Sequence, residues 1–186
     1  MRVQLIVLFV LSVLSSQVSA LTRDELRVDL RVSDWCKNLT VEYFWQAFHP
    51  GAESRKKVAR GTLNEDTPGE GVECEIPKTV LGGSLFLHAG HLINSQRGEA
   101  IFVSLGYERE IFQYAGFSID GRVEAMNLEY EVPRKQTWLR GVILMPSVQG
   151  SYTFDNRKLG AVGVRQYFLP TADKITLTSF FWTVKF

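Results

Sequence analysis

Cysteine is scarce in this chain: two in 186 residues, Cys36 and Cys74. So few cannot frame a disulfide-knit miniprotein, so burial of apolar surface must supply most of the stability. Neither sign of charge prevails, with 21 Lys+Arg against 20 Asp+Glu. That balance excludes a dedicated nucleic-acid binder, whose domain is strongly basic, and no nucleic-acid partner is expected. Beyond residue 14 no apolar run approaches the roughly 18 residues a spanning helix needs, so no transmembrane segment is expected. No Gly-x-Ser-x-Gly elbow occurs, which removes one hydrolase signature. No stretch keeps an apolar helical period over roughly eleven residues, and no unit repeats.

What is present begins with a leader. Arg2 precedes an apolar run from Val3 to Leu14, broken only by Gln4 and Ser12, and Val18-Ser19-Ala20 fits a small-x-small cleavage site. Residues 1–20 are therefore expected to be a signal peptide, and residues 21–186 a single all-β domain, secreted and extracellular. Losing Arg2 leaves 20 basic and 20 acidic side chains, formally neutral. In an oxidising compartment Cys36 and Cys74 pair most simply with each other, closing a loop of about 39 residues worth about 4 kcal/mol. Asn38-Leu39-Thr40 is a glycosylation sequon, meaningful if the secretory route is eukaryotic.

Period-two alternation dominates the rest of the chain. Leu26, Val28, Leu30 and Val32 share one face, with Arg27, Asp29 and Arg31 on the other. Further strands are expected over 40–48, 57–63, 72–76, 84–87, 100–107, 138–145, 160–169 and 174–186. Asp120-Gly121 suits a two-residue turn between 111–119 and 122–132, because both central residues need positive φ. About ten strands strain an open twisted sheet. The expected fold is an antiparallel β-sandwich of about ten strands, with a closed antiparallel β-barrel as the alternative. Two secreted β families fit poorly. The Gly-x-Trp start of lipocalins is missing before Trp35, and Trp45 lies only nine residues after Cys36, too close for an immunoglobulin pattern.

His88-Ala89-Gly90-His91 is the sole histidine cluster. Residues three apart on a strand face opposite ways, so the pair converges only if Gly90 breaks the strand. A zinc site needs more ligands than this, and neither metal nor cofactor is expected. The carboxylate pairs Glu108/Glu110 and Glu129/Glu131 share strand faces, but glycoside hydrolysis requires a specific separation across a cleft, a geometry that sequence does not supply. Arg55, Lys56, Lys57 and Arg60 form the one basic cluster, suited to a sulfated glycan, a phosphate or an anionic membrane surface. Tyr43-Phe44-Trp45 and Phe180-Phe181-Trp182 put large rings on both faces of their strands, one side offering anchors for a partner.

The favoured reading is a secreted, non-enzymatic binding protein for an extracellular glycan or protein, with Tyr43, Trp45 and the basic cluster as its contacts. One alternative is a small secreted hydrolase using His88 and His91. The other is a membrane-active protein using the aromatic runs and the basic cluster. The 111–132 hairpin matches a membrane-inserting hairpin only in part, because Glu124 interrupts it.

Overall fold

A computed structural model describes residues 35–61, 63–133, 137–155, 159–169 and 175–185. The expected leader and the strand over Leu26–Val32 lie outside these residues. The described chain forms eight strands and one helix: β1 (Asn38–Phe48), α1 (Ala52–Ala59), β2 (Asp66–Val80), β3 (Gly83–Ile93), β4 (Glu99–Tyr114), β5 (Phe117–Val132), β6 (Thr137–Thr153), β7 (Leu159–Phe168) and β8 (Thr176–Lys185). Each strand pairs antiparallel with its neighbour in sequence, and β1 pairs with β8. The sheet is thus a closed barrel. It corrects the expected ten-strand sandwich in favour of the barrel alternative, because closure leaves no edge and no second layer.

The register fixes the shape. From Tyr43 the ladder passes through Glu70, His91, Ile101 and Glu129 to Arg140 on β6. The other way round it passes through Phe180 and Val164 to Gly150 on β6. The two paths land ten residues apart, so the barrel has eight strands and a shear of ten. That stagger tilts the strands by roughly 40° to the axis and leaves a lumen wide enough for side chains alone.

Two hairpins close tightly. Leu81-Gly82 have φ of 50° and 76°, and Ala115-Gly116 have 47° and 86°. Both centres in the left-handed region is the type I′ geometry whose twist matches the flanking strands. The expected turn at Asp120-Gly121 is instead inside β5, where Asp120 pairs with Glu110 and Gln149. The turn sits at Ala115-Gly116, five residues earlier. The strand expected over 57–63 gives way to α1, which begins at Ala52. These two turns and the paired ends Asn38 and Lys185 share one rim, the open rim. The β1–β2 loop with α1 and the turn at 94–98 sit at the opposite, capped rim.

The wall is inside out. Outward positions of β1 are Val41, Tyr43 and Trp45, of β4 Val103 and Leu105, of β6 Val142, Leu144 and Val148, and of β8 Phe180 and Trp182, all exposed. Inward positions are Glu42, Glu73, His88, Glu124 and Arg165, all buried. The capped half of the lumen is apolar, with Phe44, Phe102, Met126, Met145 and Leu177 in one cluster. Cys36 and Cys74 are free thiols, which corrects the expected disulfide. Cys36 instead donates to the Asn38 carbonyl at 3.0 Å.

Candidate functional site: a charged lumen

Alternate residues of all eight strands project into the middle of the lumen and meet there. Arg165 on β7 is the hub. Its Nη1 donates to Glu42 Oε2 at 2.8 Å, Glu73 Oε2 at 3.1 Å and the Tyr167 hydroxyl at 2.9 Å. Its Nε and Nη2 donate to Gln149 Oε1 at 3.0 and 2.9 Å. Glu42 also accepts from the Tyr167 hydroxyl at 2.9 Å and from Ser179. Arg122 on β5 pairs with Glu73 and Glu108, and its guanidinium lies 3.8 Å from the centre of the Phe86 ring. Gln149 ties the two arginines together, and its amide donates to Glu108 at 3.0 Å and Asp120 at 3.2 Å.

His88 stands between two carboxylates. Nδ1 lies 3.3 Å from Glu124 Oε2 and Nε2 lies 3.1 Å from Glu42 Oε2, the latter an ion-pair distance without hydrogen-bond alignment. Glu124 also accepts from Ser104 at 2.6 Å. Glycines make room for these large groups. A Cβ on Gly71 would come within 2.6 Å of His88 Nε2, and one on Gly106 within 2.1 Å of the Phe86 ring. Five carboxylates (Glu42, Glu73, Glu108, Asp120, Glu124) face two arginines and one histidine, so acidic side chains outnumber basic ones in the network.

Above this layer a cavity of about 190 Å3 opens toward the open rim, with Glu75, Glu108, Asp120 and Ser151 on its walls and Arg122 and Arg165 on its floor. Below it the apolar cluster fills the lumen. Water therefore reaches the ionic layer from one side only. Glu73, His88 and Glu124 bring ligand atoms within 4.8 Å of one another, a donor set that could hold a cation. Arg122 Nη2 already binds Glu73 and lies 3.7 Å from Glu124 Oε1, so a guanidinium occupies that position.

Of the residues singled out from sequence, His88, Glu108 and Glu124 meet in the lumen and the others do not join them. His88 points into the lumen, whereas His91, three residues on, is on the outward face of β3. One site cannot use both. Tyr43 and Trp45 are exposed on the outer wall, Trp45 packing 5.5 Å from Phe180. Arg55, Lys56 and Lys57 lie on α1 and Arg60 just after it, at the capped rim. Asn38 opens β1, its side-chain amide donating to Glu75. Sequence reasoning misses Glu42, Glu73, Asp120, Arg122 and Arg165, yet a signal exists: Asp120, Arg122 and Glu124 alternate with Gly121, Val123 and Ala125, and Arg165 with Val164 and Gln166.

No family model and no curated protein matches this sequence. Among solved structures the barrel is similar to neisserial surface protein A, with TM-score 0.50 and 8% identity over 80% of this chain and 96% of that one. It also matches the N-terminal β-barrel domain of Pseudomonas aeruginosa OprF, with TM-score 0.46 and 8% identity over 82% and 99% of the two chains. A de novo designed transmembrane β-barrel matches with TM-score 0.45 and 11% identity over 81% and 97%. The first likeness, at so low an identity, establishes a shared fold: a small closed antiparallel barrel.

That fold and the inverted wall overturn several expectations together. A freely secreted, extracellular binding protein for a glycan or protein would carry polar side chains outward and apolar ones inward. Here every strand exposes apolar side chains and a charged cluster is buried within, the outward charges Glu70, Glu129 and Arg140 notwithstanding. Among the described residues no helix is long and apolar enough to cross a membrane. The expected lack of a transmembrane segment nevertheless fails. The length of apolar runs bears on helices only, and closed strands satisfy the same backbone demands.

Proposed function

We propose that this protein is a membrane-embedded β-barrel whose lumen is plugged by its own side chains, so that it does not conduct. One observation carries the reading: exposed apolar side chains occur on all eight strands while a network of charged ones is buried in the lumen. In water that arrangement would expose far more contiguous apolar surface than a soluble monomer tolerates. In a bilayer it is the stable one. Every strand is long enough to span: β1, β3, β7 and β8 have 11, 11, 10 and 10 residues, where a tilted spanning strand needs about 9–11, and β2, β4, β5 and β6, with 15, 16, 16 and 17, extend beyond that length. Aromatic side chains flank the apolar band, Trp45, Phe48 and Phe168 toward the capped rim and Phe112, Tyr114, Phe117 and Tyr152 toward the open one, as membrane barrels require.

The plug is made of large side chains. Arg165, Tyr167, Phe44 and Phe102 are almost wholly buried and fill the bore between cavity and cap. The test is reconstitution into lipid vesicles. Folded protein should resist extraction by carbonate and urea, and planar bilayers should show no step currents at neutral pH. A monodisperse, β-rich monomer in detergent-free buffer would overturn the embedding. Discrete open-channel steps would overturn the plug.

A further inference from the structure

We infer that the basic helix at the capped rim holds the anionic headgroups of lipids in the adjacent leaflet; this rests on the membrane-embedded reading. In α1 successive residues turn by about 100°. Arg55, Lys56, Lys57 and Arg60 then spread over about 200° of the helix circumference, and Ser54 and Val58 share the remaining arc. Burial agrees: Ser54 is buried and Val58 half-buried, whereas the four basic residues are exposed. The helix presents a basic face outward.

Its position sets the class of partner. The Arg55 guanidinium lies 5.2 Å above the ring of Phe48. Phe48 is the last residue of β1, on the outward side of the wall, at the edge of the apolar band. Just inside that edge sits the Trp45–Phe180 pair. The contact therefore moors a cationic helix at the height where hydrocarbon gives way to headgroups. Arginine and lysine there gain Coulomb energy from phosphate while their stems cover apolar surface. A soluble phosphate would find the same charges, but without the apolar edge beneath them. The placement favours a lipid over a free anion.

The test uses a single-tryptophan protein that keeps Trp45, with Trp35, Trp138 and Trp182 replaced by Phe. It is reconstituted in phosphatidylcholine vesicles with brominated phosphatidylglycerol or brominated phosphatidylcholine as quencher. Phosphatidylglycerol should quench about three- to tenfold more effectively per lipid at low salt. The preference should vanish in the Arg55→Gln/Lys56→Gln/Lys57→Gln/Arg60→Gln protein and shrink in about 0.5 M NaCl. Substituting Lys78→Gln and Arg109→Gln at the open rim should leave it intact. Equal quenching by both lipids in the unsubstituted protein overturns the headgroup inference while the embedding stands. Quenching by neither overturns the embedding. Displacement by inorganic phosphate beyond that by chloride of equal ionic strength assigns the site to a free anion and overturns the lipid source.

Discussion

Replacing Arg165 by Met isolates the energetics of the lumen. Arg165 is 1% exposed and donates five hydrogen bonds to four side chains, two of them carboxylates. Its guanidinium also lies 5.0 Å from the Phe181 ring centre. Met fills most of the stem's volume, so the cavity contribution is small and the loss is mainly electrostatic. Deleting one partner of a buried ion pair strands the other and costs about 3–5 kcal/mol. The rim pair Arg140–Glu129 has the same 2.8 Å separation as Arg165–Glu42, but its side chains are 75% and 37% exposed. A pair of that kind is worth about 0–1 kcal/mol. Urea unfolding from lipid vesicles, followed by tryptophan fluorescence and by the mobility difference between folded and unfolded protein, measures both. Arg165→Met should lose several times more stability than Arg140→Met. Adding Glu42→Gln to Arg165→Met should recover part of the loss, because it removes a stranded charge. If the two arginine variants unfold alike, the lumen network does not hold the barrel together.

The wall, the glycines and the thiol each carry a further expectation. Leu105→Arg, outward at mid-height on β4, should cost about 2–4 kcal/mol in the same assay. Leu81→Arg in the open-rim turn should cost little, and equal losses would count against a lipid-facing wall. Gly106→Ala places a Cβ 2.1 Å from the Phe86 ring, which underlies Arg122, whereas Gly141→Ala meets nothing within 4 Å. The first should destabilise by about 1–3 kcal/mol or more and the second by less than about 0.5, an order that equilibrium unfolding can reverse. Cys36, ahead of β1, has its thiol pushed up from 9.0 to about 12, first by burial and then by Cys74 beside it. At pH 9 the unfolded thiol is about half ionised, the native one about a thousandth, so iodoacetamide should label the native protein hundreds of times more slowly. Because the folded value lies above the unfolded one, this thiol's stabilising contribution is whole below pH 9 and is lost as pH rises toward 12. Equal labelling rates with and without urea would show Cys36 to be open to solvent.

The strands are legible in the sequence for a plain reason. Alternation at period two over 100–107 and 122–132 marks strands in any environment. It reports two faces and is silent on which one is inside. Val123 and Ala125 against Arg122 and Glu124 read equally well as core against water or as lipid against lumen. The first option leads to a soluble sandwich. It also makes Glu124 a flaw in a membrane hairpin, when it is a lumen acid bonded to Ser104 and His88. The misplaced turn has a local cause. Asp-Gly favours type I′, but Gly121 lies extended and Asp120 is held inward by Gln149, so barrel-wide register outweighs a dipeptide preference. Ala115-Gly116 carries a weaker signal, since Ala in the left-handed region is uncommon. The separation of His88 from His91 is readable from strand parity alone. The meeting of Glu42, Glu73, Glu124 and Arg165 is not, because it depends on a stagger that only closure defines.

Consecutive strands are neighbours all the way round, so the barrel owes its closure to a single long-range junction, β1 against β8, from Asn38 opposite Lys185 to Phe48 opposite Thr176. Until that seam shuts, the ribbon has two bare edges and its row of carboxylates has no enclosure. Hydrocarbon would reject both. On the membrane-embedded reading proposed above, insertion and closure advance together, with the first and last strands meeting as the polar stripe is drawn out of contact with lipid.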